Sequence, residues 1–239
     1  MHKKTQRLMV LGFLMQVVLT GAIWQTGALA ENAPHPAMAP VADYMMNQAA
    51  EIALARSAAP ASVSDKAEIL VLAARGYKTA VKGTNGFVCY VGRSWENDLN
   101  NADLWGPKDR SPECDNAAAA RSVLPYYLQR TQWALSGVSR AEMIQRTKAE
   151  IAAGKITAPQ AGAICFMLSK NGYLNASAGG PWHPHVMFYA HPGPGSDWGA
   201  DLPGSPVLSH RSYLMPYTIY FVPVRKWSDG TLAEYAVHH

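Results

Sequence analysis

Residues 179–193, GGPWHPHVMFYAHPG, carry three of the chain's eight histidines. His183 and His185 stand two apart at the start of an apolar run. On a strand that spacing puts both imidazoles on one face with Met187 and Tyr189, while Val186, Phe188 and Ala190 take the other face and are expected to be core. Two imidazoles so placed can reach a single zinc, copper, iron or nickel ion. Pro184 has no N–H to give a sheet, which predicts an edge strand or a strand entrance open to water.

Two ligands do not complete a metal centre. His191 and His210 are the further candidate histidines, and Asp197, Asp201, Glu96, Asp98 and Glu113 are candidate carboxylates. With zinc or another transition metal on His183 and His185, a carboxylate such as Glu96 or Asp98 would polarise a metal-bound water, the working arrangement of a metal-assisted hydrolase. Without a metal, the same pair reads as two hydrogen-bonded histidines at a strand mouth.

Aromatic rings offer a second kind of site. Trp95, Trp105, Trp182 and Trp198 fall in loops or at strand ends, where, with Tyr189, they could line a groove for a small molecule or simply cover the sheet edges. Other catalytic patterns are missing. Gly92-Arg-Ser94-Trp-Glu96 lacks the last glycine of a nucleophile elbow, and there is no H-E-x-x-H or phosphate-binding loop.

The elements that must hold these residues are legible in the hydrophobic pattern. Val41 to Ser57 has a helical stripe ended by Pro60. Ala67 to Ala73, Tyr77 to Lys82 and Phe87 to Val91 read as strands, and Asn85-Gly86 is a hairpin signal, so the three form an expected antiparallel meander. Gly92 to Asp115 is polar and turn-rich and reads as one long loop. Asn116 caps an alanine-rich helix that Pro125 interrupts at Leu124, and Ser139-Arg-Ala-Glu142 is a capping box for a helix ending near Gly154. Strands return at Ala163 to Ser169, His185 to Ala190 and Tyr217 to Val224, with a Gly/Pro loop over 193–206. Strand runs separated by a helical block predict a single α+β domain, an antiparallel sheet of about six strands covered by three to four helices.

The ends set the compartment. A basic start (Lys3, Lys4, Arg7), an apolar run over 8–22 and Ala28-Leu29-Ala30 make the three-part pattern of a secretory signal peptide spanning 1–30. Residues 31–40 are an expected flexible lead-in, 41–227 the domain and 228–239 a loose tail. The whole chain has 21 Lys and Arg against 17 Asp and Glu; cleavage after Ala30 leaves 18 against 17. So near-neutral a mature chain gives no reason to expect nucleic acid as a partner, and no later apolar run is long enough for membrane insertion. In an oxidising compartment the three cysteines, Cys89, Cys114 and Cys165, predict one disulfide and one thiol. Cys89–Cys114 is the preferred pair, because it ties the 95–112 loop to the strand before it.

NGFVCYVGRSW (85–95), CFMLSKNGYLN (165–175) and WHPHVMFY (182–189) are similar to stretches of a group of uncharacterised exported bacterial proteins. The resemblance covers most of the mature chain and implies a single secreted domain and no activity. The H-x-H pair is also similar to the first cupin motif. Tyr189 and Ala190 stand where that motif has its glutamate, so no ligand set is carried over. The expected function is a small-ligand or metal-binding module of the cell envelope. A metal-assisted hydrolase and a structural envelope protein without a site are the alternatives.

Overall fold

A computed structural model describes residues 35–173 and 183–234. Eight strands form one sheet: β1 (Glu68–Ala73), β2 (Gly76–Val81), β3 (Val88–Gly92), β4 (Ser111–Asp115), β5 (Ile164–Met167), β6 (His185–Ala190), β7 (Leu208–Arg211) and β8 (Thr218–Pro223). Their spatial order is β2-β1-β3-β4-β5-β6-β8-β7. Every neighbouring pair is antiparallel except β1 and β3. Six helices accompany the sheet: α1 (Val41–Tyr44), α2 (Gln48–Arg56), α3 (Ala61–Ser64), α4 (Ala117–Ser122), α5 (Leu124–Leu135) and α6 (Arg140–Ala152). The α+β class is as expected, with two more strands and more, shorter helices than the sequence suggests.

The expected meander is not formed. β1 and β2 make a hairpin, but β3 lies on the other side of β1 and runs parallel to it. β1 is an unbroken apolar run, Ile69 to Leu72, buried throughout, as suits a strand with neighbours on both sides. Asn85-Gly86 turns a crossover loop instead of a hairpin. Asn85 donates to Val63 O (2.7 Å) and accepts from Phe87 N (3.1 Å), while Gly86 takes the left-handed φ of +78° that the bend requires.

β4 is the main addition. Ser111-Pro-Glu-Cys-Asp115 looks like loop because of its proline and two acids, yet all five residues are buried in the middle of the sheet. Proline is tolerated because the ladder to β5 engages only Cys114 and Asp115, so Pro112 lies beyond it. Cys89 and Cys114 face each other across β3 and β4 and form the disulfide, leaving Cys165 as a buried thiol. The bond closes a segment 25 residues long. Cys89→Ser/Cys114→Ser is therefore expected to lose about 3 kcal/mol in urea unfolding, and an unchanged midpoint would mean the ladder alone sets this register.

The helices start and stop where the capping residues dictate. The 41–57 helix divides at Asn47, whose side chain accepts from Ala49 N and Ala50 N. Asn116 accepts from Ala119 N, α5 begins with Pro125 in its first turn, and Ser139 accepts from Glu142 N. The stretch 228–234 is folded back, not loose: Lys226 and Leu232 form a bridge, and Lys170 reaches Asp229 at 2.8 Å. In the 31–40 lead-in, Ala39 N donates to Tyr44 Oη.

The core lies on both sides of the sheet. α2 packs an alanine face (Ala55, then Ala58 and Ala59) against Ile69, Val91 and the disulfide. On the opposite side α5 and the 3-10 turn Ser94–Glu96 cover the sheet through Trp95, Tyr126, Tyr127 and Trp133. The sheet is not completely filled on that second side.

Candidate functional site

A cavity of about 270 Å3 opens between this second face and the segment after β3. Strand alternation selects its floor. Cys165 pairs with Met187, Met187 with Phe221, and Tyr189 with Ile219, so these residues share a face. Glu113 of β4, Met167 of β5, and His185, Met187 and Tyr189 of β6 line the cavity from below. Glu96, Asn97, Asp98 and Asn101 form one wall, with Tyr127 of α5. His210, Ser212 and Tyr217 form another. Trp95, wholly buried with its Nε1 donating to Thr131 Oγ1 (3.0 Å), fixes the turn that aims Glu96 at the sheet.

Two carboxyl groups meet beside Gly92. A Cβ built on Gly92 would stand 2.7 Å from Glu96 Oε2 and 3.2 Å from Glu113 Oε1, so the absence of a side chain there lets the two acids converge. Tyr77 Oη lies 2.7 Å from Val91 O and 3.0 Å from Glu96 Oε1. A hydroxyl has one proton to donate. With that proton on Val91 O, the contact with Glu96 is satisfied when the carboxyl is protonated and donates to the tyrosine oxygen. Glu96 Oε2 is buried and has no hydrogen-bond partner. Glu113 Oε2 accepts from Tyr90 Oη (3.0 Å), and the Cys165 thiol stands 3.9 Å away.

Electrostatics agree with protonated acids. Burial, then the charge of Glu113, pushes Glu96 up to about 8. Burial, then the charge of Asp115, pushes Glu113 up to about 8. Asp115 lies behind the pair and is raised by burial to about 7, with its Oδ1 unpartnered. At neutral pH the deep end of the cavity is thus lined by neutral carboxylic acids and tyrosines.

The mouth is different. Asp98 accepts from Ser212 Oγ (3.0 Å), and its other oxygen lies 2.6 Å from His210 Nε2. Burial alone would raise Asp98. The hydrogen bond and charge of His210 and the bond from Ser212 more than offset it and hold Asp98 below its ordinary value, while the bond to Asp98 raises His210. Because serine and histidine both use the carboxylate and not each other, this is not a Ser-His-Asp relay. His185 is buried, its Nδ1 lying 2.8 Å from the His183 backbone oxygen. A carbonyl only accepts, so Nδ1 carries the proton. Burial holds the ring's pKa down, favouring neutral imidazole.

The structure brings together His185, His210, Glu96, Asp98, Glu113 and Tyr189. It does not gather the other candidates. His183 is exposed at the strand mouth and His191 is exposed just past β6. Asp197 is exposed in a 3-10 turn, and Asp201 accepts from Ser209 Oγ (2.5 Å). Among the described residues, no three His, Cys, Asp or Glu side chains converge as a metal centre requires. The parity expected of the His183–Ala190 stretch is correct, but the packing is inverted. His185, Met187 and Tyr189 are the buried set, and Val186, Phe188 and Ala190 are half-buried. Nor is β6 an edge strand, since β5 and β8 flank it. Trp95 and Trp105 are core, not groove, and Trp198 stacks on Tyr220 (4.5 Å between centroids) across the sheet from the cavity. Trp182 lies outside the described residues.

Tyr77, Gly92 and Tyr127 carry no local sequence signal for this site. Ser111 and Glu113 do. Ser111-Pro-Glu-Cys-Asp115 alternates polar and apolar residues, which is a strand pattern. No protein-family model, curated protein or solved structure matches the chain.

Proposed function

We propose that this is an exported binding protein that holds a small polar molecule in the cavity under β6. One observation carries the reading: an unfilled space of about 270 Å3 into which an otherwise well-packed fold directs carboxyl and phenol groups. A fold gains nothing in stability by burying such groups around a void. Export is supported by the basic, apolar and A-x-A segments of residues 1–30 and is consistent with the Cys89–Cys114 disulfide. Among the described residues no helix is long and apolar enough to cross a membrane.

The test is a thermal-shift screen of small metabolites against the mature chain and Met187→Trp, a variant that fills the cavity floor. A true ligand at a hundred times its Kd stabilises by about 2.7 kcal/mol, a shift of roughly 5–10 °C. That shift is expected for the wild type and lost in the filled variant. Compounds that stabilise both proteins equally, or no stabilising compound at all, would overturn the cavity as the binding site.

A further inference from the structure

From the convergence of Glu96 and Glu113 beside Gly92, and the phenol-rich wall above them, we propose that the cavity takes a small molecule carrying a primary ammonium group. This rests on the cavity being a small-ligand site and adds the class of ligand.

The acceptors point to a donor. Both partners of Glu113 lie on Oε2, leaving Oε1 to the cavity, and Glu96 Oε2, packed beside it against Gly92, has no hydrogen-bond partner. A primary ammonium has three N–H donors to share between two such acids, which a quaternary ammonium lacks. The rings of Tyr127, Tyr189 and Tyr217 line the same space, and aromatic faces attract a desolvated cation. Tyr127 and Tyr217 hold each other through their hydroxyls at 2.8 Å, so the wall is rigid.

Charges of both signs surround the pair. From β4 and β5, Asp115 and Cys165 stand behind the pair. Tyr77 of β2 and Tyr90 of β3 donate or share protons with it and bring no charge. Arg93 is engaged by Glu51, whereas Arg130 of α5 donates to the neutral Asn97 carbonyl and its charge acts on Glu96. At the mouth, Asp98 offsets His210, and the His185 ring on the floor favours its neutral form. An ammonium ion would meet acids that ionise to receive it, so binding expels protons to solvent.

The probes are primary amines graded from propylamine to tyramine, their isosteric alcohols, and trimethylated tyramine. Each is titrated calorimetrically into the mature chain near pH 7 in phosphate and in Tris, whose ionisation enthalpies differ. The expected result is that at least one primary amine binds and releases about one proton. Its alcohol and quaternary counterparts should bind at least about tenfold more weakly, and Glu113→Gln should cost the amine at least about tenfold, the effect of losing a charge-assisted hydrogen bond. Glu96→Gln is the second variant, and far-UV circular dichroism checks that both are folded. If no amine binds, or alcohols bind as well as amines, or the amine affinity ignores both substitutions, the ammonium assignment is overturned. The cavity reading survives any of these outcomes provided that the metabolite screen finds a ligand sensitive to Met187→Trp.

Discussion

Arg93→Ala is expected to destabilise the fold by about 3–5 kcal/mol in urea unfolding with the disulfide intact, the cost of breaking a buried ion pair by removing one partner. Both side chains of the Arg93–Glu51 pair are at most 1% exposed, and Nη2 meets Oε1 at 2.7 Å. The guanidinium also donates to Tyr44 O (2.9 Å) and to Val91 O, while Glu51 Oε1 accepts from Leu72 N (3.1 Å). One pair therefore fastens the end of α1, the face of α2, and strands β1 and β3. Removing arginine leaves a carboxylate among apolar groups with no cation to balance it. Arg93→Met/Glu51→Leu removes both charges and keeps the volume. It is expected to recover most of the loss, because the desolvation penalty of the pair goes with it. A loss below about 1 kcal/mol for Arg93→Ala would show that water reaches Glu51 and that the pair behaves like a surface contact.

That pair illustrates what the sequence hides. Glu51 lies on the half of the 41–57 stripe that helical periodicity assigns to solvent, and Arg93 looks like a loop residue. Only the crossover of β3 past β1 brings them together, and a register set by contacts forty residues apart leaves no local trace. Local rules served well where the interaction itself is local. Asn116, Pro125 and Ser139 mark helix ends as capping geometry requires. The disulfide was legible because its two half-cystines flank one segment. β4 is hidden in the sequence because proline and two acids outweigh the alternation of Ser111, Glu113 and Asp115. The site was half legible. Glu96, Asp98, Glu113, His185 and His210 were all candidates from residue type, and all five line the cavity. Imidazoles two apart carry a metal signal in the sequence, and buried carboxyls carry none. Burial decides the difference, and burial is a property of the sheet.

Burial also makes stability depend on pH in an unusual direction. Glu96 and Glu113 are raised to about 8 and Asp115 to about 7, against about 4 in an unfolded chain. Between about pH 4 and pH 8 the native state therefore binds protons that the unfolded state has released, and stability falls as pH rises through that window. The contribution of these acids is fully present below their unfolded pKa and is lost by the time pH passes their folded pKa. Because the charge of Glu113 raises Glu96, ionising both costs more than ionising two acids that do not interact. His185 opposes the trend, since its lowered pKa makes the fold gain stability as pH rises through the ordinary histidine range. Glu113→Gln separates the two. It is neutral at every pH, so it should match the wild type at about pH 4 and exceed it at about pH 9 by about one or more kcal/mol, read from urea midpoints. The same substitution is the one expected to weaken ammonium binding, so the residue would hold its place at a cost to the empty fold. A Glu113→Gln curve parallel to the wild type from pH 5 to 9 would mean that the carboxyl is ionised and solvated in the native state. The neutral-acid description of the cavity would then fail.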